Sequence, residues 1–346
     1  MAEVLVSGAT GMVGNAILEA LLREGRSVRV LARSPERARK SLRSVNLARQ
    51  ATPSTVAATQ SAIQGVEIVR GDVTDRASLA AAMRGCDTVY HAAGLPEQWL
   101  DDEGLFQRVN VEGTRNMVET ALEQGLQRFI YTSTIDVFAA RAGREFDETR
   151  LDPMPKDTAY GCSKQDADSI VVRAIERGLP AVFLHPSGLY GPGPESSPGI
   201  NAMVAELLMG RLPLIPPGSL PLVFSDDVAA GHLLAERKAE VGQRYILSAF
   251  SVSVSEVLKQ VVEAAGSGKV PYTIPLWAAR LAVEAGELQS MITRRAPLLP
   301  RNHLHFLQQD LRPLADKAKS QLGWQPQDLG QSIKNTVEFL RVSGRA

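Results

Sequence analysis

A short apolar run, a glycine turn and a helix follow one another at the start of this chain, and that succession constrains its fold more than any other feature. Val4-Leu5-Val6 has the make-up of a buried strand. Gly8-Ala9-Thr10-Gly11-Met12-Val13-Gly14 comes next, with glycines at G-x-x-G-x-x-G spacing, and Ile17, Leu18, Leu21 and Leu22 then recur at a helical period. A strand, a glycine turn and a helix in this order make a site for the pyrophosphate of a dinucleotide. The glycines let backbone approach the phosphates, and the helix start offers unpaired N–H groups and a partial positive charge. Gly8, Thr10, Gly11, Met12, Val13 and Gly14 are therefore candidate cofactor contacts. A glycine triplet alone also suits an ordinary tight turn; the flanking strand and helix favour the dinucleotide.

Composition narrows the class. Lys plus Arg equals Asp plus Glu at 38 each, so no net field draws the chain to nucleic acid or to an anionic membrane. Apolar residues at 44% and charged residues at 22% are ordinary for a globular protein. The two cysteines, Cys86 and Cys162, have no metal-ligand spacing. We expect no metal, unpaired thiols and a cytoplasmic setting. The first strand starts too early for a signal peptide to precede it, and no uncharged apolar run reaches transmembrane length.

Strand and helix patterns then alternate, the mark of a doubly wound parallel sheet of α/β class. Strands are expected at Ser27–Ala32, Val66–Arg70, Thr88–His91, Phe129–Ser133 and Ala181–His185, with helices at Ala77–Arg84, Val111–Gln124 and Tyr160–Arg177. Residues 41–64 lack a clear apolar period and suggest a broken helix or an insertion. Residues 1–190 form the expected dinucleotide-binding part, rejoined by 222–250. Residues 191–221 and 251–346 form a smaller, mainly helical substrate lobe. Helices are expected there at Gly199–Met209 and Val254–Ala265. The apolar segment Leu276–Ile292 suits core packing first, then pocket lining, then peripheral membrane contact.

The chemistry-bearing residues stand at strand ends. Arg33 closes the second strand, where an acid would bind the ribose 2′-hydroxyl of NAD(H) and an arginine suits the 2′-phosphate of NADP(H). With Ser34 and Arg37 it forms a phosphate clamp, against the alternative of a solvated basic face, and NADP(H) is favoured over NAD(H). Asp72, before Val73, either accepts from the adenine amino group or caps the next helix, a role open also to Thr74 and Asp75. Ala92, Ala93 and Gly94 are small enough to let a ribose lie against backbone, and His91 reads as a packed strand-end histidine. Tyr160 and Lys164, four residues apart, share one helix face. A free tyrosine with a pKa of ~10 is a poor proton shuttle at neutral pH, but a nearby ammonium stabilises the phenolate and lowers that value. Lys164 also reaches the nicotinamide ribose. The alternative is a surface pair. The hydroxyls of Thr132, Ser133 and Thr134, at the carboxyl end of the preceding strand, favour the catalytic reading.

Together with Val109–Thr114, Pro186–Gly193, Val223–Ala229, Lys317-Ala318 and Leu322–Pro326, these motifs resemble the extended short-chain dehydrogenase/reductases along nearly the whole chain. The resemblance implies a Ser/Thr–Tyr–Lys site with Thr134 as the hydroxyl, or Ser133 as the fallback. It places Pro186 to Leu189 beside the nicotinamide and suggests a homodimer. Sugar-nucleotide epimerases and dehydratases share this scaffold, but they usually carry arginine where this chain has His185. They also often hold a diphosphate with an arginine where it has Leu220-Pro221-Leu222; Arg211 would have to compensate. The chain looks more like the 3β-hydroxysteroid dehydrogenase and dihydroflavonol-reductase branch. That branch implies a secondary alcohol or ketone on a hydrophobic steroid-like, terpenoid or flavonoid-like substrate. Decarboxylation follows where a carboxylate lies β to the new ketone. A cofactor-binding regulator without turnover is a further alternative, disfavoured by the complete Thr134, Tyr160 and Lys164 set.

Overall fold

A computed structural model describes residues 3–50, 66–196, 199–293 and 301–346. Strands β1 (Val4–Ser7), β2 (Val28–Ala32), β3 (Glu67–Arg70), β4 (Thr88–His91), β5 (Arg128–Thr132), β6 (Ala181–Pro186) and β7 (Arg244–Leu247) form one sheet, ordered β3-β2-β1-β4-β5-β6-β7. Every pairing is parallel. The strand order reverses between β1 and β4. Such a reversal opens a crevice at the carboxyl ends of the strands, where open α/β sheets bind ligands.

The strands are buried because they are apolar on both faces, as a parallel sheet covered by helices demands. Helices α1 (Met12–Arg23), α2 (Pro35–Gln50), α3 (Arg76–Met83), α4 (Gly113–Gln124) and α5 (Ala159–Glu176) follow the first strands. Helix α6 (Asn201–Leu208) belongs to the second lobe, and α7 (Ser225–Lys238) returns to the sheet. One core joins Val4, Val6, Ile17, Leu18 and Leu21 to Val228 and Leu233 of α7. Ala315, Ala318, Leu322 and Trp324 pack into this same core, although that part of the chain was expected in the second lobe. On the opposite face, Leu5, Val89 and Phe129 meet Leu79, Met117, Val118 and Val171 of α3, α4 and α5.

The smaller lobe is built on a second sheet of three strands, Gly188–Tyr190, Ser219–Phe224 and Phe250–Ser253. Helices α8 (Val254–Ala265), α9 (Leu276–Thr293), α10 (Arg301–Gln308) and α11 (Leu329–Val342) complete it. Its core contains Tyr190, Leu222, Phe224, Val257, Leu258, Ile333 and Val337.

Two expectations need correction. Residues 41–50 form no break: they continue α2, with Leu42, Val45 and Ala48 buried. The apolar spacing is there, and its partner is the remote core of the second lobe, which Val45 and Ala48 join. Residues 51–64 lie outside the described residues. Helix α9 is core on one side only: Ala279 and Val283 are buried against Leu304, whereas Trp277, Leu281 and Leu288 are each more than 60% exposed.

Trp324 ties the end of the chain to α7. It is 1% exposed, and its indole N–H donates to the Asp227 carbonyl at 2.8 Å. Trp324→Ala should therefore lower the unfolding free energy in denaturant by about 3–5 kcal/mol. A loss under about 1 kcal/mol would show that the tail is not part of this core.

Candidate active site

The glycine turn fits as its spacing requires. Gly8 has φ +78°, and a Cβ there would lie 2.6 Å from the Ala92 carbonyl group and the Ala93 nitrogen. A Cβ at Gly14 would lie 2.3 Å from the Gly8 oxygen. Only glycine allows helix α1, the turn and the end of β4 to approach this closely. Gly11 caps α1 with no side-chain hydrogen bond, and its first turn carries no acidic residue, so the helix start is open to an anion. Thr10 is exposed, with its carbonyl accepting from Ser196 Oγ at 3.1 Å. Val13 is half-buried. The Met12 side chain is buried instead beneath Gly193, so its backbone alone faces the turn.

Around the crevice, Arg33 and Arg37 are exposed just beyond β2. Ser34 lies between them, its hydroxyl donating to Glu36 at 3.1 Å. Asp72 Oδ1 accepts from both the nitrogen and the hydroxyl of Thr74 at 2.9 Å, while Asp75 caps α3. Val73 is buried against Gly113. Ala92 and Ala93 are half-buried and Gly94 exposed, lining the route past β4. His91 bonds Ser7 and Thr114 inside the core, and burial holds its pKa down to about 3. It is a packed neutral histidine, as expected.

Tyr160 lies in the first turn of α5, which Thr158 caps through the Gly161 nitrogen at 3.0 Å. The Phe106 ring meets the Tyr160 ring edge-on at 5.9 Å between centroids. Asn110 joins this helix to the β4 loop. Its amide donates to Ser163 Oγ at 3.0 Å and to the Leu95 carbonyl at 3.2 Å, and its oxygen accepts from the Leu95 nitrogen at 2.7 Å. The Lys164 ammonium reaches the end of β5, donating to the Thr132 carbonyl at 3.0 Å and to Tyr131 Oη at 3.4 Å.

Three neighbouring hydroxyls therefore separate by direction. Thr132 Oγ1 points away, bonded to His232 Nε2 at 2.9 Å. Ser133 is committed: its hydroxyl donates to Asp168 at 2.6 Å, and Asp168 pairs with Arg244, whose guanidinium stacks on Phe183. Thr134 is left near Tyr160, whose ionisation its hydroxyl favours. Arg244 can only donate to His185 Nε2, at 3.3 Å, so His185 Nδ1–H donates to the Thr134 carbonyl at 3.0 Å.

The electrostatics differ from the simple expectation. Burial, reinforced by the Asp136 charge, holds the Tyr160 hydroxyl far above its ordinary pKa, and the Thr134 bond only moderates this. Burial likewise drives Lys164 down, to about 8. Two carboxyl groups not singled out from the sequence complete the site. Asp136 is raised by burial, while its bond to Thr134 and the charges of Lys156 and Lys164 oppose the rise. Glu97 is pushed up to about 7 by burial and by the charge of Asp136. Asn110, Asp168 and Arg244 also escaped the sequence analysis. Only Asn110 lay in a stretch quoted for its family likeness.

These residues fit a nicotinamide dinucleotide. The α1 start is uncapped, the arginines after β2 are exposed, and Ser187 Oγ, after Pro186 at the end of β6, is buried with no partner among the described residues. Leu189 is half-buried just beyond it. Among the described residues no cluster of metal ligands occurs, and no helix is long and apolar enough to cross a membrane.

Known proteins resemble this chain along nearly its whole length. A Synechocystis sp. protein named "Putative dihydroflavonol 4-reductase" is 29% identical over 98% of this chain and 94% of its own. Sterol demethylase protein B of Methylococcus capsulatus is 26% identical over 98% of both chains. The crystal structure of gox2253 superposes with a TM-score of 0.80 at 28% identity, covering 100% of this chain and 99% of the other. The model of the NAD dependent epimerase/dehydratase family matches residues 4–248. The chain belongs to that family, and is an NAD(P)-dependent oxidoreductase of the extended short-chain dehydrogenase/reductase type.

Proposed function

We propose that the protein interconverts a secondary alcohol and a ketone on a neutral hydrophobic substrate, with NADP(H) preferred over NAD(H). The observation that carries this reading is the grouping of Thr134 with the helix pair Tyr160 and Lys164, together with the lack, among the described residues 211 and 220–222, of a free cation for a substrate diphosphate. Leu220 and Leu222 are buried core residues. Arg211 is held by Glu206 through two hydrogen bonds, at 2.6 and 2.9 Å. An unpaired diphosphate would be costly to bind there. The names of the Synechocystis and Methylococcus relatives point the same way.

When bound, the cofactor accepts or supplies a hydride at C4 of its nicotinamide. Residues of the chain do the rest. The glycine turn and α1 hold the pyrophosphate, and Arg33 with Arg37 take the 2′-phosphate. Thr134 orients the substrate oxygen. Tyr160 gives its proton to that oxygen in reduction and takes it back in oxidation. Its raised pKa keeps the proton in place at neutral pH, ready for the ketone, although it makes the transfer harder than from an ordinary phenol. Lys164, charged below about pH 8, offsets the phenolate that forms.

Turnover is tested with NADP⁺ and NAD⁺ against hydroxysteroids and UDP-sugars, followed by absorbance of the reduced cofactor. Hydroxysteroid oxidation faster with NADP⁺ is expected; turnover of UDP-sugars alone would move the reading to the epimerases. Tyr160→Phe should lower kcat by about 10²–10⁴-fold while cofactor affinity is kept. Arg33→Ala should raise KM for NADP(H) by about 10–100-fold and leave NAD(H) unchanged. The ammonium of Lys164 is lost as pH rises through about 8, so ketone reduction should decline above that pH. A flat profile to pH 10 would contradict this role.

A further inference from the structure

The hydroxyl of Thr134 is held on two sides by one residue. Its Oγ1 donates to Asp136 Oδ2 at 2.8 Å, and the Asp136 backbone nitrogen donates back to Oγ1 at 3.3 Å. Thr134 thereby caps the short 3₁₀ turn Ile135–Val137 and is only 6% exposed. A threonine hydroxyl has one proton and two lone pairs. In this arrangement the proton and one lone pair go to Asp136, so a single lone pair remains for Tyr160 or for substrate. A hydroxyl in that state accepts from an alcohol but cannot donate to a ketone.

We propose that Asp136 is a positioning residue that sets the direction of the Thr134 hydrogen bond, and so decides whether the site receives an alcohol or a ketone. This rests on the alcohol–ketone reading above. As carboxylate, Asp136 takes the Thr134 proton and leaves an acceptor for the alcohol hydroxyl. As neutral acid, it donates its own proton to Thr134 Oγ1, whose proton then turns to the ketone oxygen. No proton is transferred from Thr134 in either case; only the direction of two hydrogen bonds reverses. Reduction still takes its proton from Tyr160.

The surroundings allow both states. Lys164 and Tyr160 face Asp136 from α5, Lys156 from the segment before that helix, and Glu97 from the loop after β4. The Lys156 ammonium is already shared with Asp152, at 2.7 Å, and with the Phe138 carbonyl, at 2.8 Å. It therefore does not lock Asp136 as an anion. Burial favours the neutral acid and brings the change of state closer to working pH.

The test uses the full chain with NADP(H) and a 3-ketosteroid with its 3-hydroxy partner, across pH 5–9. In the wild type, KM for the ketone should rise with pH while KM for the alcohol falls, each by about 10-fold, with smaller changes in kcat. Asp136→Asn, whose amide both donates and accepts at every pH, should flatten both KM profiles. On a Thr134→Val background, Asp136→Asn should change nothing further, because the effect passes through the threonine. Opposite pH trends in the two KM values that survive undiminished in Asp136→Asn, or an undiminished Asp136→Asn effect in Thr134→Val, would overturn the proposal. An arm without substrate separates its failure from failure of the reading beneath it. The carboxylic acid stretch of Asp136, identified in the infrared by its loss in Asp136→Asn, should shift in Thr134→Val. An unshifted band refutes the coupling even if no steroid turns over. A shifted band with no alcohol or ketone turnover refutes the alcohol–ketone reading and retains the coupling.

Discussion

The closest glycine contact among the described residues is backbone against backbone: Gly14 packs on the Gly8 carbonyl, and Gly8 packs on the end of β4 at Ala92 and Ala93. No side chain fits between these segments. Their contact brings the uncapped start of α1 to the point where the sheet changes direction. The rest of the site is measured from that point. The carboxyl ends of β2 and β3 present Arg33 and Asp72 on one side, and those of β5 and β6 present Thr134 and Ser187 on the other.

A second layer of interactions determines what the site can do. Asp168 and Arg244, the latter from the sheet edge, hold Ser133 and His185, and His185 holds the Thr134 carbonyl. This buried chain removes Ser133 from the reacting centre and leaves Thr134 there. An ammonium, a phenol and two carboxyl groups then share a space poor in water. Each shifts away from its ordinary ionisation, as perturbed groups in active sites commonly do. The burial that raises Tyr160 is the same burial that depresses Lys164, which is why the pair does not behave as an exposed tyrosine beside a fixed cation.

What was legible in the sequence was local. Gly8 to Gly14, Arg33 and the Tyr160–Lys164 pair depend on spacing within one or two elements, and each stands at a strand end or helix start where its spacing put it. The strands from β1 to β6 fall within a residue or so of their apolar runs. Illegible features depend on partners far along the chain. Thr134 and Ser133 are adjacent and chemically alike; they are told apart by Arg244 acting through Asp168. Asp136 and Glu97 are unremarkable as letters and become notable through burial. Helix α2 continues to Gln50 because Val45 and Ala48 find the second-lobe core, a contact that no local period reveals.

The central claim is net hydride transfer between a hydrophobic secondary alcohol and the nicotinamide. It is tested most directly by incubating the protein with a hydroxysteroid bearing deuterium on its carbinol carbon and NADP⁺, then locating the label by mass spectrometry. The account predicts deuterated NADPH and an unlabelled ketone in equal amounts. No labelled NADPH from the steroid, together with an inverted UDP-sugar that keeps its carbinol label and leaves no net reduced cofactor, would contradict it.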